Sequence, residues 1–201
     1  MVISASIKAP VTKVVTPLCR SLLKIGVTAN LLSAIGGLGA SFSAILFFSR
    51  GNYFWGTIVT LFFILFDLLD GTLARMSESG GSQWGALLDS TLDRISDAAV
   101  LGSVAYFLMK THDRLVPILI IALVAGGLVS YIKARAEGLG IECNGGLAER
   151  TDRLIIIFVA LGFAGLGVPY ILAVGAWILA LASVYTVCER LAIVYRATMK
   201  A

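Results

Sequence analysis

The positions of charge divide the chain into apolar spans. Residues 27–49 carry no charged side chain, nor do residues 51–66, which lead into an aspartate-rich stretch at Asp67. Residues 84–109 form a third apolar stretch, interrupted by Asp89, Asp93, Arg94 and Asp97, and residues 115–132 form a fourth. Residues 154–188 are uncharged throughout. A helix needs about 20 apolar residues to cross the hydrocarbon core of a bilayer, so that run is too long for one crossing. Gly165, Gly167 and Pro169 supply the break that divides it in two. The pattern predicts an all-α integral membrane protein with six transmembrane helices, organised as one membrane domain over residues 1–201. Within it, 1–26 form an interfacial segment and 27–198 a six-helix bundle.

Residues 1–26 differ from the rest because Lys8, Lys13, Arg20 and Lys24 are interleaved with apolar residues. A secretory signal would place its charge first and then run apolar. Thr16 and Pro17 are a helix-start signal. Leu18, Leu22 and Ile25 follow at helical spacing, with Arg20 and Lys24 on another face. An amphipathic helix in the headgroup region is predicted; a plain topogenic anchor is the simpler reading of the same residues. Gly36, Gly37, Gly39, Gly126 and Gly127 read as close-packing positions between helices.

Six spans place both termini on one side, and Lys and Arg decide which. With the N-terminus inside, the outer loops hold only Arg50, Lys110 and Arg114. The inner segments hold Lys8, Lys13, Arg20, Lys24, Arg75, Lys133, Arg135, Arg150, Arg153, Arg190, Arg196 and Lys200. Both termini and the loops at 76–83 and 138–152 are therefore expected in the cytoplasm of a multi-pass plasma-membrane protein.

Composition supports this picture. The 201 residues are 58% hydrophobic and 14% charged, against about 45–50% and 25% in soluble domains. Mean hydropathy is +0.93. The net charge of +4 is topological, and no basic polar face exists to bind nucleic acid. Cys19, Cys143 and Cys188 have no metal-ligand spacing. Cys19 and Cys188 read as small apolar fillers, and Cys143 as a thiol in a polar loop, reactive from the cytoplasmic side.

The chemistry is concentrated in two acidic pairs. Asp67 and Asp70 are three apart, and Asp89 and Asp93 four apart, so each pair shares a helix face. A short connection makes the two helices antiparallel neighbours, which lets both pairs meet in one inward-facing pocket. Acids within a membrane are costly unless paired or solvated. Arg75 and Arg94 offer partial pairing, with Asp97 placed to face a cation such as Lys133. Hard divalent cations, Mg²⁺ or Mn²⁺, match four carboxylates better. Gly71 and Gly85, with Ala74, keep the wall beside the carboxylates low, so that a phosphate can approach the backbone. Two ions at such a site suit phosphoryl transfer. An ion-pair network joining two helices is the plainer alternative, but it does not call for glycines in register with four acids.

The run D-x-x-D-G-x-x-A-R followed by G-x-x-x-D-x-x-x-D, here Asp67, Asp70, Gly71, Ala74, Arg75, Gly85, Asp89 and Asp93, resembles the signature of the CDP-alcohol phosphatidyltransferases. Nine residues separate Arg75 from Gly85, where eight is common. The resemblance implies that Asp67, Asp70, Asp89 and Asp93 bind two metal ions and that Asp93 is the proton acceptor. It further implies that CDP-diacylglycerol lies against Gly71, Arg75 and Ser82. Thr28, Asn30 and Ser33 are similar to the family's T-P-N-x-x-T start of the first span, with Ala29 in place of Pro, and Asn30 and Ser33 are carried over as donor contacts.

The acceptor is the variable substrate. Lys133, Arg153 and Arg190 lie at apolar helix edges, where a buried anion is a good partner. Arg135, Arg150 and Arg196 read as charge facing lipid phosphates. The segments around Asp93 to Asp97, Ser130 to Glu137 and Glu149 to Ile156 resemble the actinobacterial members of the family that make phosphatidylinositol phosphate. That resemblance implies an inositol phosphate acceptor held by Lys133, Arg153 and Arg190, and a homodimer. A phosphatidylglycerophosphate synthase using glycerol 3-phosphate is the alternative. A divalent-metal transporter is a remote one, because it has no use for Gly71, Arg75 and Gly85 in register with the aspartates.

Overall fold

The computed structural model describes residues 16, 17, 19–21, 23, 25–76 and 82–199, with the side chains of Asp67 and Leu68 excepted. Readings that fall on Lys8, Lys13, Leu18, Leu22, Lys24, Lys200, residues 77–81 and the Asp67 carboxylate lie outside that set.

Among the described residues all regular structure is helical: α1 (Ala29–Phe48), α2 (Tyr53–Ile64), α3 (Phe66–Met76), α4 (Gln83–Lys110), α5 (Val116–Glu137), α6 (Arg150–Gly165) and α7 (Ile171–Thr198). Among the described residues four segments are long and apolar enough to cross a membrane: Ala29–Phe48, Tyr53–Met76, Val116–Glu137 and Ile171–Thr198. The chain is a multi-pass membrane protein. The second of these segments is α2 and α3 together, interrupted by a turn at Leu65, so the helix that carries Asp67 and Asp70 is a separate unit of 11 residues. The expected break in the long apolar run is where the glycines placed it: α6 ends at Gly165 and α7 begins at Ile171, with Gly167 at φ 85°. A reciprocal cap starts α6, the Glu149 and Asp152 side chains each accepting the other's backbone N–H.

Contacts divide the chain into two compact units. The first comprises residues up to Leu46 with Ile58–Val100. Its glycines behave as read: a Cβ on Gly37 would strike Leu92 at 2.6 Å, and one on Gly39 would strike the Phe63 ring. Ahead of α1, the described residues from Thr16 to Leu23 are helical. Cys19 from this segment packs in a core with Leu32 of α1 and Leu73 of α3, flanked by Leu23, Val27, Phe66, Leu69 and Met76. Burying a leucine side chain stabilises by about 1.5–3 kcal/mol, so this cluster fixes α3 against α1. The Cys19 thiol donates to the Leu69 carbonyl at 3.6 Å, and burial pushes its pKa up.

The second unit comprises Phe47–Thr57 and Leu101–Ala201. Helix α7 packs along both α5 and α6. Leu119, Ala122, Val129, Phe158, Leu161, Ala176 and Leu179 are buried at these seams. Gly175 meets Ala160, and Gly165 meets the backbone of Phe54, so small residues set the helix spacing here. Gly127 faces open space, whereas Gly126 makes room for Arg153, whose Nε would lie 3.2 Å from a Cβ there. Gly126 is thus a close-packing position between α5 and α6, as read, and Gly127 is not.

Candidate active site

A pocket of about 440 Å³ opens in the first unit. The start of α1 contributes Ala29, Asn30 and Ser33, α3 contributes Asp70, Gly71 and Ala74, and the start of α4 contributes Ser82, Gln83, Gly85, Ala86 and Asp89. Helical periodicity explains the choice of residues. Asp70 and Ala74 are one turn apart on α3, and Gly85 and Asp89 one turn apart on α4.

Each wall is held by a specific contact. Ser33 donates its hydroxyl proton to Oδ2 of Asp70, and both residues are buried at 6% exposure. Ser82 caps α4 by accepting the Gly85 N–H at 2.9 Å. A Cβ on Gly85 would lie 2.6 Å from Asn30 Oδ1 and 3.2 Å from Ser82 Oγ. Gly85 therefore admits the Asn30 amide, a correction to its reading as a low wall for a phosphate. Gly71 keeps that reading, since among the described residues no atom is found within 4 Å of a Cβ built on it.

Two residues expected at the pocket do not line it. Arg75 is exposed, and its guanidinium donates to the Thr72 hydroxyl at 3.4 Å. Asp93 lies one turn beyond Asp89, with Oδ2 3.5 Å from the Arg94 guanidinium. Arg94 also reaches Asp97 at 4.0 Å, so Arg94 is a cation that Asp97 faces. Gln83 and Ala86 line the pocket without having been singled out. Ala86 shares the Asp89 face at i, i+3, a signal present in the sequence; Gln83 has none.

The donor set suits a hard divalent cation: Asp70 and Asp89 present carboxylates to one pocket, and Ser33 orients the first of them. Among the described residues no three His, Cys, Asp or Glu side chains gather closely enough to hold an ion by themselves.

In the second unit, Arg190 is 2% exposed and Arg153 6%. Arg190 donates from Nε to the Gly145 carbonyl at 2.8 Å and from Nη1 to the Val129 carbonyl at 2.6 Å. Arg153 donates from Nη1 to the Ala148 carbonyl at 3.0 Å. Among the described residues no carboxylate lies within ion-pair distance of Arg190. Lys133 is half-buried towards the end of α5. Cys143 is 1% exposed, its thiol 3.9 Å from the Arg190 carbonyl. It is a buried residue, which corrects its reading as a reactive loop thiol. Cys188, read as a filler, is exposed, and Cys19 is buried as expected.

Comparison with known proteins places this geometry. A phosphatidylinositol phosphate synthase of Corynebacterium glutamicum is 40% identical over 187 residues, covering 92% of this chain and 85% of that one. The crystal structure of the Mycobacterium tuberculosis phosphatidylinositol phosphate synthase with CDP-DAG bound superposes with a TM-score of 0.86 at 41% identity, covering 91% of this chain and 94% of that one. The structure of the same enzyme in complex with manganese and citrate gives a TM-score of 0.85, also at 41% identity, covering 90% and 88%. Residues 26–188 match the family described as CDP-alcohol phosphatidyltransferase. The chain belongs to that family and is an enzyme of its class.

Proposed function

We propose that the protein is a phosphatidylinositol phosphate synthase, transferring the phosphatidyl group of CDP-diacylglycerol to 1D-myo-inositol 3-phosphate and releasing CMP. The observation that carries the choice of acceptor is Arg190. Its buried guanidinium is bonded only to carbonyls, with no carboxylate beside it among the described residues. A buried charge needs an anionic partner, and a phosphorylated acceptor supplies one where a neutral alcohol does not. The names of the similar enzymes support the same acceptor.

In this reading Asn30, Ser33, Gly71, Arg75 and Ser82 contact CDP-diacylglycerol, and the open space beside Gly71 receives part of it. Lys133, Arg153 and Arg190 bind the acceptor's phosphate. Asp93 takes the proton from an acceptor hydroxyl. The resulting oxygen attacks the phosphorus that bears diacylglycerol, and the bond from that phosphorus to the CMP oxygen breaks. Asp67, Asp70, Asp89 and Asp93 would hold two Mg²⁺ or Mn²⁺ ions, which when bound neutralise charge on the pyrophosphate and the departing CMP.

The same proposal takes six membrane crossings, with α4 and α6 added to the four segments above, as one membrane domain. The N-terminal helix lies in the headgroup layer, both termini and the active site face the cytoplasm, and the enzyme is a homodimer. The test is CMP release by purified protein given CDP-diacylglycerol, Mg²⁺ and one acceptor at a time: inositol phosphate, inositol, glycerol 3-phosphate or serine. Release with inositol phosphate alone is expected; release with glycerol 3-phosphate instead would replace the acceptor.

A further inference from the structure

Thr186 lies one turn before Arg190 on α7 and is wholly buried. Its hydroxyl is fully engaged. Oγ1 accepts the backbone N–H of Leu147 at 3.2 Å and of Ala148 at 3.1 Å, and its proton goes to the Ala182 carbonyl at 2.8 Å. Its methyl group covers Gly146, whose φ of 121° is open to glycine and strained for any other residue.

The stretch so held is the one that orients both arginines. The Gly145 carbonyl accepts from Arg190, and the Ala148 carbonyl accepts from Arg153. Residues 145–148 contain no helix, so their carbonyls are aimed by whatever fixes the loop. A threonine can accept two hydrogen bonds and donate one. Valine has the same shape and can do neither, and would leave the Leu147 and Ala148 N–H groups, the second of them buried, without this acceptor.

We propose that Thr186 is a positioning residue for acceptor binding: by pinning residues 147 and 148 to α7, it sets the direction of the Arg153 and Arg190 guanidiniums without touching the acceptor. This rests on the reading that those arginines hold the acceptor's phosphate.

The test is steady-state kinetics of Thr186→Val, Thr186→Ser and Arg190→Ala, with inositol phosphate and CDP-diacylglycerol each varied in turn. Thr186→Val is expected to raise KM for inositol phosphate about tenfold, with kcat and the KM for CDP-diacylglycerol little changed. Thr186→Ser keeps the hydroxyl and is expected to stay near the parent value. Should Thr186→Val not yield folded protein, Thr186→Ala takes its place with the same expected shift. An unchanged acceptor KM in Thr186→Val beside a raised one in Arg190→Ala overturns the positioning role alone. Thr186→Ser as impaired as Thr186→Val also overturns it, since keeping the hydroxyl would then not preserve acceptor binding. An unchanged acceptor KM in Arg190→Ala overturns the acceptor reading and this proposal with it.

Discussion

Ser33 on α1 donates its hydroxyl proton to the Asp70 carboxylate on α3, joining residues 37 positions apart in a buried contact. A hydrogen bond to one carboxylate oxygen fixes the plane of the group. Partners of this kind typically contribute about 10–100-fold to metal affinity or activity. Ser33→Ala is therefore expected to raise the Mg²⁺ or Mn²⁺ concentration needed for half-maximal rate by about tenfold or more. Metal titrations of both proteins at saturating substrates check this, and superimposable curves would remove the role.

Asp70→Asn, Asp89→Asn and Asp93→Asn, together with Asp67→Asn, are each expected to abolish turnover while leaving the protein folded. Chelation should do the same reversibly, with activity restored by added divalent cation. Full activity in excess EDTA would end the metal reading.

Gly71 and Gly85 should respond differently to alanine. At Gly71 the new methyl meets nothing among the described residues, and alanine favours a helix over glycine by about 1 kcal/mol. Gly71→Ala should keep or raise Tm while losing activity with CDP-diacylglycerol. At Gly85 the methyl displaces the Asn30 amide. Gly85→Ala should raise KM for CDP-diacylglycerol, and adding Asn30→Ala should then have little further effect. Additive losses in that double-mutant cycle would separate the two residues.

Thiol labelling reports on the three cysteines. In detergent at neutral pH a maleimide should modify the exposed Cys188 quickly. Cys19 and Cys143, both buried, should react only on unfolding. Topology is better read from Asn144→Cys, an exposed neighbour of Cys143, in a protein lacking Cys188. An impermeant reagent should label it from the cytoplasmic side only. Mass spectrometry of labelled peptides checks both expectations, and fast modification of Cys143 in the folded protein would contradict its burial.

Lys133→Ala, Arg153→Ala and Arg190→Ala each remove a cation from the proposed acceptor site. Hydrogen bonds to charged groups contribute about 1.5–3 kcal/mol, so KM for inositol phosphate should rise by about tenfold to a hundredfold. KM for CDP-diacylglycerol should change little. Steady-state kinetics with each substrate varied decide between this and a general role in contacting anionic lipid, which would move both constants or neither.

The sequence by itself determined the helices and the chemistry they carry. Charge-free length is set by the bilayer, and acids at three- and four-residue spacing must share a helix face whatever surrounds them, so Asp70 and Asp89 were legible from local periodicity. What local periodicity lacks is contact between distant segments. The Leu65 turn that separates α3 from α2, the Asn30 amide seated on Gly85 and the Ser33 bond to Asp70 depend on how α1, α3 and α4 pack. The burial of Cys143 follows from a loop folded back on α7. Thr186 reads in sequence as one more small residue in an apolar helix. Only the return of residues 145–148 to its side, nearly forty positions away in the chain, turns its hydroxyl into the acceptor for the Leu147 and Ala148 N–H groups.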